Sequence, residues 1–143
     1  MKSKAPLALM EQMIMVLVFA LAAALCLRAF ALSDRLSRES EAQDRAVLLA
    51  QNAAEVCKAG GGDLRLLRTV LGGQVDAGGW MAFYDEELNA VAVEADAVYR
   101  VEVMPAVEMI PYLGTARVSV YMAESGGLLF DLTASWQEVE RGG

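Results

Sequence analysis

The residue types that usually carry enzyme chemistry are scarce in this sequence. There is no histidine, so the commonest general base near neutral pH and the commonest transition-metal ligand are missing. Cys26 and Cys57 form no CxxC pair, and on one helix they would lie roughly 46 Å apart, too far for a disulfide. The glycines at 60–62 lack the following Lys-Ser/Thr of a phosphate-binding loop. We therefore expect a protein that is not an enzyme, with no catalytic, cofactor-binding or metal-binding residues.

An acidic group in the C-terminal half leaves one alternative open. Asp85, Glu86 and Glu87, with Glu94 and Asp96, carry enough carboxylate oxygens to coordinate a calcium ion. Their spacing is not that of an EF-hand loop. A solvated acidic turn is therefore the preferred interpretation.

Charge is distributed unevenly along the chain. Residues 1–58 carry seven basic and six acidic side chains, a net charge of +1. Residues 59–143 carry five basic and thirteen acidic side chains, a net charge of −8. An acidic domain repels nucleic acid and anionic lipid, so we expect no nucleic-acid partner.

The N-terminal third has the composition of a membrane span. Residues 1–6 form a short basic leader, and residues 7–32 are apolar except for Glu11, Gln12 and Arg28. This stretch is long enough to cross a hydrocarbon layer of about 30 Å as a helix. Basic residues before the span predict a cytoplasmic N-terminus, a single pass through a membrane and an extracytoplasmic C-terminal domain. Small side chains that suit close helix packing in lipid are Ala20, Ala22, Ala23 and Ala24.

Three other interpretations of this segment are open. A secretory signal could be cleaved after residues 29–31, although such signals are normally free of acidic residues such as Glu11. A lipoprotein signal would end at Cys26, but Leu25 is bulky where a small residue is expected. The third is a plain anchor with a stray glutamate. A carboxylate in a membrane span is by default functional and paired, which favours a role for Glu11.

The helix is predicted to continue beyond the membrane. Residues 33–58 contain no proline or glycine and are rich in helix-forming residues, and the glycines at 60–62 would end the helix. Charges in helical register predict the pairs Arg35/Glu39, Glu41/Arg45 and Arg38/Glu41. One apolar stripe recurs at helical spacing, formed by Leu32, Leu36, Ala42/Gln43, Ala46, Leu49/Ala50, Ala53 and Val56/Cys57. This amphipathic stripe needs a covering layer.

Residues 59–143 predict a small extracytoplasmic α+β domain. Asp63 is a candidate N-cap for a short helix over residues 64–71. Strands are predicted over residues 80–84, 89–94, 97–104, 115–122 and 128–136, with a connection over 107–113 and a hairpin at 123–127. The predicted architecture is an antiparallel sheet of about four strands packed on the amphipathic half of the long helix.

The N-terminal residues resemble a known family. A basic leader, the run Leu7-Ala8-Leu9-Met10-Glu11 and an apolar helix continuing into an amphipathic one are similar to type IV pilins and to the minor pseudopilins of type II secretion and competence systems. In that family the fifth residue of the mature chain is a glutamate, which corresponds to Glu11 if Leu7 is the first mature residue. Pro6 stands where the family's leader ends in glycine or alanine, so the processing site is non-standard.

The resemblance implies a fold, a function and partners. It implies a pilin-like fold and a structural subunit that assembles with other pilin-like subunits through its N-terminal helix, with Glu11 setting the axial register. Prepilin peptidase would cut between Pro6 and Leu7 and the new N-terminus would be methylated. The alternative is a single-pass membrane accessory protein that binds a partner through its extracytoplasmic sheet without polymerising.

Overall fold

The computed structural model describes residues 4–76, 78–106 and 110–138. Its helices and strands are α1 (Ala5–Ala59), α2 (Leu64–Leu71), β1 (Gln74–Asp76), β2 (Gly79–Tyr84), β3 (Ala90–Val91), β4 (Tyr99–Pro105), β5 (Leu113–Met122) and β6 (Leu128–Gln137). One long helix followed by a small antiparallel sheet confirms the predicted α+β class. The chain divides into two compact units, residues 1–40 and residues 41–143.

The first unit is the helical segment that begins at Ala5. The N–H of Ala8 donates to the carbonyl of Lys4 at 3.2 Å, which closes the first turn. Pro6 lies within that turn, where its missing N–H would have no helical partner in any case. The helix thus begins two residues before Leu7. Residues 1–3 of the predicted leader lie outside the described residues.

Glycines end α1, as predicted. The N–H of Gly62 donates to the carbonyl of Cys57 at 2.9 Å, and the N–H of Gly61 donates to that of Lys58 at 3.1 Å. Gly61 has φ +59°, the left-handed conformation that this pair of hydrogen bonds requires and that glycine adopts without a Cβ clash. Two of the carbonyls left unpaired at the helix terminus are thereby satisfied.

The short helix α2 has the predicted bounds and the predicted cap. The backbone N–H of Arg65 donates to Asp63 Oδ1 at 2.9 Å, so the carboxylate satisfies one free donor of the first turn. Leu67 is fully buried, which fixes α2 on the rest of the second unit.

The sheet has more strands than predicted. Its order is β1-β2-β4-β5-β6, with the two-residue strand β3 also paired to β2, so the described residues form six strands rather than about four. The strand predicted over residues 89–94 is reduced to β3, because a 3-10 turn over Glu94–Asp96 follows it. β1 was missed because three exposed residues carry no periodicity. The other predicted strands and the hairpin at 123–127 are confirmed, and residues 107–109 of the predicted connection lie outside the described residues.

The core of the second unit lies between the helix and one face of the sheet. Alternate residues of the central strands are buried, among them Trp80, Val101, Val103, Val118 and Val120. The helix contributes a buried stripe in which most side chains are small, namely Ala46, Leu49, Ala50, Ala53, Ala54 and Cys57. The predicted apolar stripe is therefore buried from Ala46 onwards, but Leu32 and Leu36 are 59% and 58% exposed.

Two ion pairs follow helical spacing. Glu41 and Arg45 pair at 2.6 Å, as predicted. Arg38 was expected to pair with Glu41, but its Nε lies 3.2 Å from Asp34 Oδ2, one turn towards the N-terminus. That expectation was wrong because Arg45 occupies Glu41 from the other side.

Candidate membrane and assembly segment

The N-terminal half of α1 exposes apolar side chains on every side. Its most apolar stretch has a mean hydropathy of 2.5, and none of it is buried. The large side chains from Leu7 to Phe30 are between 57% and 77% exposed. An apolar surface that surrounds the helix completely needs a surrounding apolar phase or other apolar chains.

Length and composition let this helix cross a membrane. The backbone polar groups of a helix are paired within the helix, so the bilayer core can accommodate it. An N-terminal signal sequence would meet the same criterion of length and hydropathy. By length and composition, α1 is therefore a helix able to span a membrane.

Glu11 is the acidic residue of this apolar stretch. Its side chain is exposed, and it makes no ion pair or hydrogen bond with any residue that the structure describes. Lys4 precedes it by two helical turns on the same face, and both line a shallow groove with Leu7 and Ile14. The carboxylate therefore faces outward, towards whatever surrounds the helix.

The two candidate processing residues lie in the first helical turn. Ala5, Pro6 and Leu7 are its first three residues, so the bond between Pro6 and Leu7 is held in helical conformation. A protease that binds an extended chain would require this end of the helix to unwind, which helix ends do readily.

The four alanines singled out for membrane packing do not share one face. Ala20, Ala23 and Ala24 follow i, i+3, i+4 spacing and form one patch of small exposed residues. Ala22 is two residues from Ala20 and so lies on the opposite side of the helix. Close approach of a second helix would therefore involve the three-alanine patch.

In the second unit, the acidic turn after β2 is organised by hydrogen bonds. Asp85 Oδ1 accepts from the backbone N–H of Asn89 at 2.8 Å, and Asp85 Oδ2 accepts from Asn89 Nδ2 at 3.2 Å. Among the described residues, no three His, Cys, Asp or Glu side chains converge as a metal site would require. The calcium alternative therefore has no assembled ligand set in this structure.

Arg45 connects this turn to the helix. It donates through Nη1 to the carbonyl of Glu86 and through Nη2 to Glu41. The hydrogen bond that Arg45 donates to the Glu41 carboxylate holds the pKa of Arg45 above its ordinary value. Nearby Tyr99 is buried, which raises the pKa of its phenol, and the charge of Arg45 opposes that rise. This cluster was missed by sequence reasoning, since it joins residues far apart in the chain.

The face of the sheet away from the helix carries a second polar cluster. The Arg100 guanidinium carbon lies 4.9 Å from the centre of the Tyr121 ring, and Arg100 Nε lies 3.0 Å from Glu102 Oε1. Arg100 and Tyr121 are directly paired across β4 and β5. Period-2 alternation places Arg100 and Glu102 on one face, but only the strand register brings Tyr121 to them.

Comparison with known proteins gives no identification. No family model, no curated protein and no solved structure matches this chain.

Proposed function

We propose that this chain is a pilin-like structural subunit, anchored in a bacterial cell membrane by a single pass. It assembles through residues 7–27 into a filament or pseudopilus of a secretion, competence or pilus system. The observation that carries the proposal is Glu11, a carboxylate with no partner among the described residues, on a helical stretch whose large apolar side chains are 57–77% exposed.

The cost of an isolated carboxylate supports assembly. An ionised acidic side chain costs about 2.5–3.5 kcal/mol or more at the centre of a bilayer, and less towards its edge. A plain anchor gains nothing in return for that cost. A cation from a neighbouring subunit removes this cost by pairing with the Glu11 carboxylate. The two groups meet only when the neighbouring helix is shifted along its axis by one particular distance. Glu11 thus makes the correctly registered neighbour the favoured one.

The rest of the helix is consistent with this role. The patch formed by Ala20, Ala23 and Ala24 allows a second helix to approach closely, so that van der Waals contact holds helices together in lipid. The same helix continues into the segment that packs under the sheet, so one continuous element joins the segment proposed for assembly to the sheet domain.

Replacing Glu11 tests the proposal directly. In Glu11→Gln and Glu11→Ala variants we expect membrane insertion to be retained and assembly to be lost, because the helix remains apolar while its register contact disappears. Insertion is measured by alkaline extraction of membranes. Assembly is measured by the yield of sheared filaments and by disulfide cross-linking of Ala20→Cys chains, with Cys26 replaced by alanine.

The matched control is Glu39→Gln, which removes an exposed carboxylate from the same helix beyond the apolar stretch. It should assemble like the wild type. Unchanged assembly of the Glu11 variants would contradict the proposal and favour the non-polymerising accessory protein. Mass spectrometry of the N-terminus adds an independent readout: a methylated chain starting at Leu7 supports processing, whereas a start at Leu32 identifies a cleaved signal.

A further inference from the structure

The second unit is electrically polarised along its strands. Strand register places Tyr84 beside Tyr99 and Tyr99 beside Met122, so the loops that follow β2, precede β4 and join β5 to β6 meet at one end of the sheet. We call this end the acidic end. Its loops carry Asp85, Glu86, Glu87, Glu94, Asp96 and Glu124.

Helix α2 lies towards the opposite end. Trp80, the second residue of β2, donates from Nε1 to the carbonyl of Gly72, the residue that ends α2, at 2.8 Å. The exposed surface here, which we call the α2 face, consists of Arg65, Arg68, Thr69, Val70 and Val75. Four of these residues, all but Val70, line a shallow groove. Val70 is 58% exposed and Val75 40% exposed, so the surface combines positive charge with apolar contact area.

Basic side chains are paired at the acidic end but not at the α2 face. Arg45 pairs with Glu41, and Arg100 lies against Glu102 and Glu94. Within the part of the chain that the structure describes, the side chains of Arg65 and Arg68 make no ion pair. Two exposed arginines on residues 59–143, which carry a net charge of −8, are available to a carboxylate partner.

The acidic end has a complementary surface. A shallow groove there is lined by Glu86, Glu87 and Leu88 of the turn and by Arg45 and Leu48 of α1. Leu48 is 51% exposed, and the positive charge of Arg45 is already matched by Glu41. The acidic end thus presents carboxylates beside exposed Leu48, and the α2 face presents arginines beside exposed valines. The two surfaces are complementary in charge, and both offer apolar contact area.

We propose that the α2 face of one copy docks on the acidic end of a second copy of this chain. Both halves of the contact belong to the same domain at different ends, so the interface is heterologous and head-to-tail, and it propagates from copy to copy. The large negative charge of the domain disfavours other contacts between copies, because they would bring like charges together. This inference rests on the proposed assembly function and specifies how the sheet domains meet within it.

Cross-linking between full-length chains in one membrane tests the contact. Two differently tagged chains, one with Thr69→Cys and the other with Glu87→Cys, are co-expressed with Cys26 replaced by alanine. We expect a disulfide between the two different tags and little cross-linking between identical tags. Cross-linking only between identical tags would contradict a head-to-tail contact.

Charge reversal tests the electrostatic basis. Arg65→Glu with Arg68→Glu should lower the cross-linking yield by about tenfold, because like charges then face each other. A second chain with Glu86→Lys should recover most of that yield. Arg117→Glu is the matched control, since Arg117 is exposed on β5 outside the α2 face and should leave the yield unchanged. Equal losses in the control and the double variant would overturn the proposed contact.

A helix cross-link through Ala20→Cys, measured in the same membranes, separates the two proposals. If the helices cross-link and positions 69 and 87 do not, the docking inference fails and the assembly function stands. If positions 69 and 87 cross-link without the helices, the docking inference stands and assembly through the helix fails. Loss of both contradicts both.

Discussion

At the scale of single residues, Trp136 shows how a close contact constrains the sequence around it. Gly114 is its direct partner across β5 and β6, and a Cβ built on Gly114 would overlap the indole ring. Gly62, in the turn after α1, lies against the same indole ring. An aromatic side chain covering a cross-strand glycine compensates for the missing side chain of that glycine. The two glycines and Trp136 thus connect the end of the helix to β5 and β6.

We predict that Gly114→Ala destabilises the second unit by about 1–3 kcal/mol, the usual cost of forcing an extra methyl into a packed core. Urea unfolding of the full chain in detergent, followed by tryptophan fluorescence, measures the change. Gly78→Ala is the control, because among the described residues no heavy atom other than those of Gly78 and its chain neighbours lies within 4 Å of a Cβ at that position. Part of the loss should be recovered when Gly114→Ala is combined with Trp136→Leu. Equal effects of the two glycine substitutions would contradict this account.

At the scale of elements, a hydrogen bond from Arg45 of α1 joins the turn after β2 to the helix. The turn has its own internal hydrogen bonds through Asp85 and Asn89, but its backbone is joined to the helix through the carbonyl of Glu86. A guanidinium that reaches a backbone carbonyl and a carboxylate together has a fixed orientation, because its donors form a rigid fork. Arg45 therefore ties the backbone of the turn to the helix, in addition to the packing of Leu88 against the core.

We predict that Arg45→Ala increases the mobility of residues 85–89 and lowers the midpoint of thermal unfolding. Arg38→Ala is the matched control: Arg38 also pairs with a carboxylate one turn away, but its side chain is 79% exposed, so its loss should change little. Hydrogen exchange at the amide of Asn89 measures the local effect. If that amide is equally protected from exchange in both variants, the internal hydrogen bonds of the turn are sufficient to order it and the prediction is wrong.

At the scale of the whole molecule, the division at residue 40 separates two kinds of surface. Among the described residues, the helical stretch from Ala5 to residue 40 has no buried apolar side chain, whereas the core cluster lies within residues 41–143. Small domains need most of their apolar surface covered, and here the helical stretch from Ala46 to Cys57 provides one side of that core.

We predict that a fragment of residues 41–143 is water-soluble and unfolds cooperatively, because it retains the whole core and lacks the exposed apolar stretch. Circular dichroism during heating, together with sedimentation, checks both properties. A fragment of residues 60–143 is the control: it loses the buried helical stripe and should not fold. Aggregation of the longer fragment, or folding of the shorter one, would contradict this division of the chain.

Much of the fold could be predicted because its signals are local. The bounds of α2 follow from Asp63 at its start and the glycines after it, and the stop of α1 follows from the glycines at 60–62. The strands β4 and β5 follow from alternation between buried and exposed side chains. The strand β1 could not be predicted, because its three residues are all exposed and only pairing with β2 makes them a strand.

The candidate assembly segment also depends on local composition. Glu11, Pro6, Leu7 and the alanines are visible in the sequence, and the structure adds the three-alanine patch, the outward-facing Glu11 side chain and the start of the helix before Pro6. Leu32 and Leu36 illustrate the limit of periodicity, because spacing shows that apolar residues share a face but not whether another layer covers that face.

The sequence by itself determined the long helix, the apolar character of its first half, the unusual position of Glu11 and the α+β class. These properties depend on neighbouring residues and on side-chain periodicity, both of which can be read along the chain. Only the tertiary structure decided that Arg45 reaches Glu86, that Trp136 covers Gly62 and Gly114, and that acidic loops gather at the end of the sheet opposite α2. Each of these joins residues far apart in sequence, and their proximity depends on strand order and register, which local patterns do not specify.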